Sequence, residues 1–222
     1  MKKLKMRPHK TSGKLIVFCG LDGCGKSTMI EMLKEELEEH GLEVFLTKQP
    51  TNKIRSSAMF REFTDNPTKK GEEYRALSLL CVSDRLLHQK EEILRSLSEG
   101  KIVICDRYYY SCLANLVARG FKRDRWIYEL SRYIVKPDIA FFLDLPVGTA
   151  MTRVRLRNAE KERYVNLELQ YCLRDAFIKI CKKNGGICIK SEGDATDTYK
   201  KLKRSAGKRL KKIINKNNRK ER

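Results

Sequence analysis

The chain has little that could build a metal cluster or staple a small fold. Its three histidines stand apart, at positions 9, 40 and 88, and its eight cysteines include no CxxC pair. Neither residue type falls at zinc-ligand spacing, which excludes a zinc-finger or zinc-ribbon protein. Cys19 and Cys105 lie inside apolar runs, and Cys81, Cys172 and Cys181 inside helical patterns. That placement predicts buried, reduced thiols in a reducing compartment, not a disulfide framework. No apolar run approaches the ~20 residues of a membrane-spanning helix. The basic start MKKLKMRPHK leads into TSGKLIVFCG, which is too short for a signal sequence and reads as a strand. The expected location is therefore the cytoplasm. Linkers and internal repeats are missing too, and 222 residues suffice for one sizeable domain.

Negative charge is also scarce, with 28 Asp and Glu against 48 Lys and Arg, for a net charge of +20. The excess is concentrated at the two ends. Residues 1–10 carry +5, residues 200–222 carry +11, and everything between carries only +4. Basic termini of this kind are often only solubilising, so contact between the C-terminal run and RNA or another acidic surface is possible but not favoured.

What is present is an alternation of short apolar runs and amphipathic stretches. Strands are predicted at 14–19, 43–47, 101–105, 138–145 and 186–190. Helices are predicted at 27–41, 74–97, 109–118, 123–133, 147–157 and 166–183, with a further one at the C-terminus. Apolar strands without alternation, separated by helices, predict an α/β fold of three layers: a five-stranded parallel sheet with helices on both faces. Such sheets bind ligands at the carboxyl ends of their strands. The expected organisation is a basic arm over 1–13, one domain over 14–199, and a basic C-terminal helix or tail over 200–222.

The segment CGLDGCGKST, residues 19–28, follows the first strand and opens the first helix. Gly20, Gly25, Lys26 and Ser27 complete the phosphate-loop pattern G-x-x-x-x-G-K-[ST] in the strand-to-helix context that gives it force. Gly20, Gly23 and Gly25 let backbone N–H groups converge on phosphate oxygens, with Cys24 and Thr28 completing the cradle. Lys26 supplies a point charge to the outer phosphates, and the Ser27 hydroxyl is suited to ligate Mg²⁺. Asp106, ending the third strand, is suited to hold the same ion through water, with Arg107 beside it able to bind an anion. Arg153, Arg155, Arg157 and Arg163 crowd the stretch TRVRLRNAEKERYVN, as a clamp on transferring phosphates would. One residue resists a simple phosphate cradle: Asp22, an acid inside the loop.

Taken in order, FCGLDGCGKST, TKQP, LLCVSDRLLH, VICDRYYYS, KPDIAFFLDLP and RYVNLELQ resemble the thymidylate kinases, P-loop kinases of nucleoside monophosphates. The likeness runs from about Lys14 to Lys190. It implies ATP as donor, Mg²⁺ as cofactor, dTMP as acceptor and a homodimer. It also implies that Asp22 accepts a hydrogen bond from the acceptor's 3′-hydroxyl, that Arg107 holds the acceptor phosphate, and that Arg85 meets the edge of the base. Cys81, Cys112 and Asn115 would line the acceptor pocket, with Arg55 approaching the acceptor phosphate. Cys24 stands where some members carry an arginine, so the catalytic arginine would come from a lid over about 153–166, as Arg157 or Arg163. Three departures concern the acceptor: Cys81 where a phenylalanine usually stacks on thymine, Asn115 where an aromatic residue crowds a ribose 2′-hydroxyl, and a shortened loop after Pro50. Another pyrimidine nucleotide or nucleoside as acceptor therefore remains open. So does a P-loop NTPase that uses its basic ends on nucleic acid.

Overall fold

A computed structural model describes residues 1–65, 72–157 and 165–217. Five parallel strands form one sheet: β1 (Lys14–Gly20), β2 (Val44–Lys48), β3 (Ile102–Asp106), β4 (Ile139–Asp144) and β5 (Ile187–Lys190), in the order β2-β3-β1-β4-β5. β1 is the central strand, and Leu15, Ile16, Val17 and Phe18 are fully buried. Each such side chain contributes roughly 1.5–3 kcal/mol on leaving water. The chain moves from β1 to one edge and later crosses to the other, so a crevice opens above the carboxyl end of β1. Register sets its walls, because Phe18 pairs with Asp106 of β3 and Gly20 with Leu143 of β4.

Ten α-helices are described: α1 (Lys26–Glu39), α2 (Asn52–Arg55), α3 (Ala58–Asp65), α4 (Glu72–His88), α5 (Leu94–Ser98), α6 (Tyr109–Ala118), α7 (Trp126–Leu130), α8 (Val147–Arg155), α9 (Leu167–Asn184) and α10 (Ala195–Asn217). α6 and α9 pack on each other and on β1, while α1 and α10 form a second pair against β3 and β5. The three layers and the parallel sheet expected from the sequence are thus observed.

Two details depart from the expected elements. The long helix over 74–97 is broken by a π-helical turn, Gln89–Ile93. Gln89 uses its side chain there to join a distant loop, accepting from the Val135 N–H at 2.7 Å and donating to the Tyr133 carbonyl at 3.1 Å. The loop after β2 also holds two short helices, α2 and α3, which the sequence pattern did not announce.

Both basic ends are anchored. In the N-terminal arm Leu4 is buried, the Arg7 N–H bonds the Ile134 carbonyl at 2.9 Å, and His9 meets Asp138 at 2.8 Å. At the other end, residue 200 falls inside α10 and marks no boundary in the fold. Tyr199, Leu202, Ala206, Leu210 and Ile213 form a buried stripe on that helix, so the segment through Ile213 belongs to the core.

Candidate active site

The loop from Gly20 to Thr28 leaves β1 and turns into α1. Gly20, Gly23 and Gly25 have φ of 139°, 79° and 92°, conformations that glycine adopts without the Cβ penalty. Gly23 is held by space as well, since a Cβ there would stand 2.2 Å from the Ala150 carbonyl oxygen in α8. At Gly25 nothing lies within 4 Å, so that position needs the conformation and not the room. Lys26 folds back into the loop, donating to the Leu21 carbonyl at 2.7 Å and the Gly20 carbonyl at 3.3 Å. Ser27 and Thr28 are exposed on the first turn of α1. Cys24 is buried, and burial pushes its thiol above the ordinary value, so it adds no charge to the cradle.

Beside the loop, Arg107 has φ of 67°, an unfavourable conformation for a residue with a Cβ and one that concentrates at functional sites. Its N–H is fixed on the Phe18 carbonyl at 2.8 Å. Its guanidinium forms an ion pair with Asp22, the arginine side chain being 17% and the aspartate 47% exposed. Burial alone would lower the Arg107 pKa, but the Asp22 and Asp106 carboxylates outweigh it and hold the group above its ordinary value. Asp106 gives one carboxylate oxygen to Lys48 at 3.2 Å. Its other oxygen is buried without a hydrogen-bond partner.

The opposite wall comes from α4 and α6. Arg85 is buried, its Nη1 bonds the Cys81 carbonyl at 2.8 Å, and its Nε has no partner. Burial would lower its pKa; the adjacent Cys112 and Cys81 thiols and the Asp84 carboxylate outweigh that and raise it. The thiols of Cys81 and Cys112 are hydrogen-bonded to each other, which, with burial, raises the Cys81 value. Asn115, one turn past Cys112, donates to the Ser111 carbonyl at 2.9 Å. Arg55 of α2 donates to the Pro50 carbonyl at 2.7 Å. Its pKa is lowered by burial first and by Arg107 second, with Asp106, Asp22 and Arg85 also within electrostatic reach.

The residues singled out from sequence therefore converge, with Asp22, Arg55, Arg85, Arg107 and Asp106 sharing one field. Asp22 pairs with Arg107, whose Nη1 also reaches the Gly20 carbonyl at 3.5 Å, the oxygen that Lys26 contacts at 3.3 Å. Arg157 is exposed just beyond α8, whose Ala150 and Val154 pack against Gly23. Arg163 lies outside the described residues. Sequence reasoning overlooked Lys48, whose role is visible only through parallel register with Asp106. It also overlooked Asp84, which accepts from the Thr51 N–H at 2.8 Å and from its hydroxyl, tying the loop after β2 to α4. Asp144, at the end of β4, forms a two-point pair with Arg174 at 2.6 and 3.1 Å; its place in FFLDLP was the available signal.

A phosphate loop with its lysine, set on a parallel sheet beside a second pocket rich in arginine, defines a P-loop nucleotide kinase: one cradle for a donor and one for an anionic acceptor. Known proteins narrow the class. The thymidylate kinase family model matches residues 18–206. A probable thymidylate kinase of Pyrococcus horikoshii is 40% identical over 172 residues, covering 77% of this chain and 83% of that protein. A thymidylate kinase of Desulfotalea psychrophila is 37% identical over 150 residues, covering 67% and 72%. The solved structure of thymidylate kinase from Candida albicans has the same fold, with a TM-score of 0.69 at 23% identity, covering 93% of this chain and 95% of that one. The chain belongs to the thymidylate kinase family.

Proposed function

We propose that the protein transfers the γ-phosphoryl group of ATP to the phosphate of dTMP, giving ADP and dTDP. The observation that carries the reading is the pairing of two cationic sites across the end of β1. One is the loop holding Lys26; the other is the cluster of Arg107, Arg55 and Arg85. In the proposed complex Gly20, Gly23, Cys24, Gly25, Ser27 and Thr28 present backbone N–H groups to the donor phosphates. Lys26 leaves its carbonyl partners to neutralise charge on the β- and γ-phosphates. Arg107 and Arg55 hold the acceptor phosphate in line, and Asp22 accepts from the sugar 3′-hydroxyl. Arg85 offers its unpaired Nε to the base beside Cys81, Cys112 and Asn115. Arg157 or Arg163 closes from the lid onto the transferring group. Phosphoryl transfer needs positioning and charge neutralisation more than a general base.

The residues present fit a magnesium ion. The unpartnered buried oxygen of Asp106 is a donor with nothing to do in the protein alone, and Ser27 is exposed on the first turn of α1, next to Lys26. These two would hold the ion, whose chemistry is to neutralise the β- and γ-phosphate oxygens.

The test is a coupled assay over nucleoside and nucleotide acceptors, with dTMP expected to show the highest kcat/KM. Should dTMP turn over no faster than the other nucleotides, the acceptor assignment fails while the kinase class stands. We further propose a homodimer, supported by an apolar outer face on α4, where Leu79, Leu80 and Leu87 are 47%, 38% and 56% exposed. Light scattering should give twice the chain mass, reduced to one chain by Leu80→Glu with Leu87→Glu. Eight free thiols support a reducing, cytoplasmic setting, and no described helix is long and apolar enough to cross a membrane.

A further inference from the structure

α10 combines a buried stripe with an outer face that is almost entirely cationic. Its inward side is Tyr199, Leu202, Ala206, Leu210 and Ile213. Its exposed basic residues include two with acidic neighbours, Lys200 near Asp197 at 3.9 Å and Lys203 on Glu36 at 2.9 Å. Lys201, Arg204, Lys208, Arg209, Lys211 and Lys212 are exposed and have no ion-pair partner among the described residues. Lys201 and Arg204 before Gly207, and Lys208 and Lys211 after it, are each three residues apart within a helical segment, so each pair shares a face, and all four are exposed while the buried stripe faces the core. The helix bends at Gly207 (φ 43°, ψ −119°), yet the buried stripe continues through Ile213, so both halves are held on the domain.

No residue assigned above to the donor or acceptor site lies on α10. The family match ends at residue 206, before Lys208, Arg209, Lys211 and Lys212. Six unpaired like charges on one packed helix repel each other, a cost that an external anion removes. The geometry restricts which anion. A peripheral membrane helix must turn an apolar face to the lipid, but here every large apolar residue from Tyr199 to Ile213 is buried. Single-stranded nucleic acid is gripped largely by stacking its bases on aromatic side chains, and this face has no exposed aromatic residue. A duplex lays down one charge per about 1.7 Å of axis, so each cation finds a phosphate whatever the register or the base sequence.

We propose that the cationic face of α10 binds the phosphate backbone of double-helical nucleic acid without sequence preference. The helix would hold the kinase on a duplex through salt-dependent contacts and leave the nucleotide crevice free.

The experiment is fluorescence anisotropy of a labelled duplex of about 20 base pairs with the full-length protein, without nucleotide, over a series of salt concentrations. Binding should not depend on base sequence. The logarithm of affinity should fall with the logarithm of salt at a slope between about −2 and −5, since six cations at about 0.9 each set the limit. The combined variant Lys201→Glu, Arg204→Glu, Lys208→Glu and Lys211→Glu should lose at least about tenfold in affinity, the slope flattening, while coupled kinase activity stays near wild type. Should that variant lose kinase activity, the corresponding Gln substitutions provide the same comparison with a smaller perturbation. Wild-type duplex affinity in an active variant overturns the proposal, as does undetectable duplex binding at low salt. Stronger binding of the wild type to phosphatidylserine vesicles or to single strands than to duplex overturns it as well. Because duplex binding is read without substrate, failure here and failure of the kinase assignment are separate results.

Discussion

Asp22→Asn tests the two-substrate reading at its sharpest point, because the charge it removes serves two different partners. In the protein alone Asp22 pairs with Arg107; in the proposed complex it also accepts from the acceptor's 3′-hydroxyl. The magnitudes separate the two. The aspartate side chain is 47% exposed, so the ion pair is screened and its loss should cost about 1 kcal/mol of stability, a small shift in urea midpoint. A charge-assisted hydrogen bond to substrate contributes about 1.5–3 kcal/mol, and its loss weakens binding roughly ten- to a hundredfold. The assay is steady-state kinetics in both substrates. KM for dTMP should rise by that factor while KM for ATP stays nearly constant, since in the proposed complex Asp22 contacts the acceptor sugar and not the donor phosphates. An acceptor without its 3′-hydroxyl should bind the wild type poorly, and Asp22→Asn should then add little further loss, because both changes remove one contact. Full additivity of the two costs would refute the reasoning and leave Asp22 a partner of Arg107 alone.

Other consequences follow from the same geometry. Lys26→Met should leave the fold intact and lower kcat by at least about a hundredfold with little change in KM for dTMP, read in the coupled assay. Gly25→Ala should fold at a cost of about 1–2 kcal/mol for left-handed backbone, whereas Gly23→Ala should cost clearly more, because its Cβ meets the Ala150 carbonyl at 2.2 Å; thermal melts distinguish them. Burial alone would raise the pKa of Asp138, but the Leu15 N–H, His9 and Lys14 outweigh it and hold the carboxyl below its ordinary value. A depressed folded value means that the stabilisation is present above the ordinary carboxylate range and is lost as pH falls through the folded value. Urea midpoints measured on acidification should therefore fall less steeply in Asp138→Asn than in the wild type.

How much of this was legible beforehand depends on the range of the signal. β1, β3, β4 and α6 are strongly patterned elements, and their observed limits lie within a residue of the expected ones. The phosphate loop was legible because a phosphate dictates glycines and a lysine at fixed spacing. α2 and α3 were not, since their turns are held by tertiary bonds: Asp84 fixes Thr51 from 33 positions away. The π-helical turn was hidden for the same reason, as only the fold shows that Gln89 reaches Val135. The positive φ of Arg107 leaves no trace in composition, because it is imposed by the bond to Phe18 on the neighbouring strand. At the C-terminus, charge count drew attention away from a stripe at Tyr199, Leu202, Ala206, Leu210 and Ile213, whose spacing of three and four was readable.

The resting site also suggests why donor and acceptor would be required together. Three cations of the site have internal partners: Lys26 the Leu21 and Gly20 carbonyls, Arg107 the Asp22 carboxylate, and Lys48 the Asp106 carboxylate. Neutral carbonyls are poorer partners for an ammonium than phosphate oxygens, so donor phosphates can displace them from Lys26 at little cost. Arg107 differs from Lys26, because its partner is already a carboxylate. An acceptor that offers a phosphate to Arg107 without a hydroxyl for Asp22 would separate a charge pair and leave the half-exposed acid with only water in exchange. An acceptor that supplies both exchanges one charged contact for two. In the proposed complex the Asp22–Arg107 pair would therefore discriminate against free phosphate and in favour of a sugar phosphate, a selectivity that a bare phosphate loop could not provide.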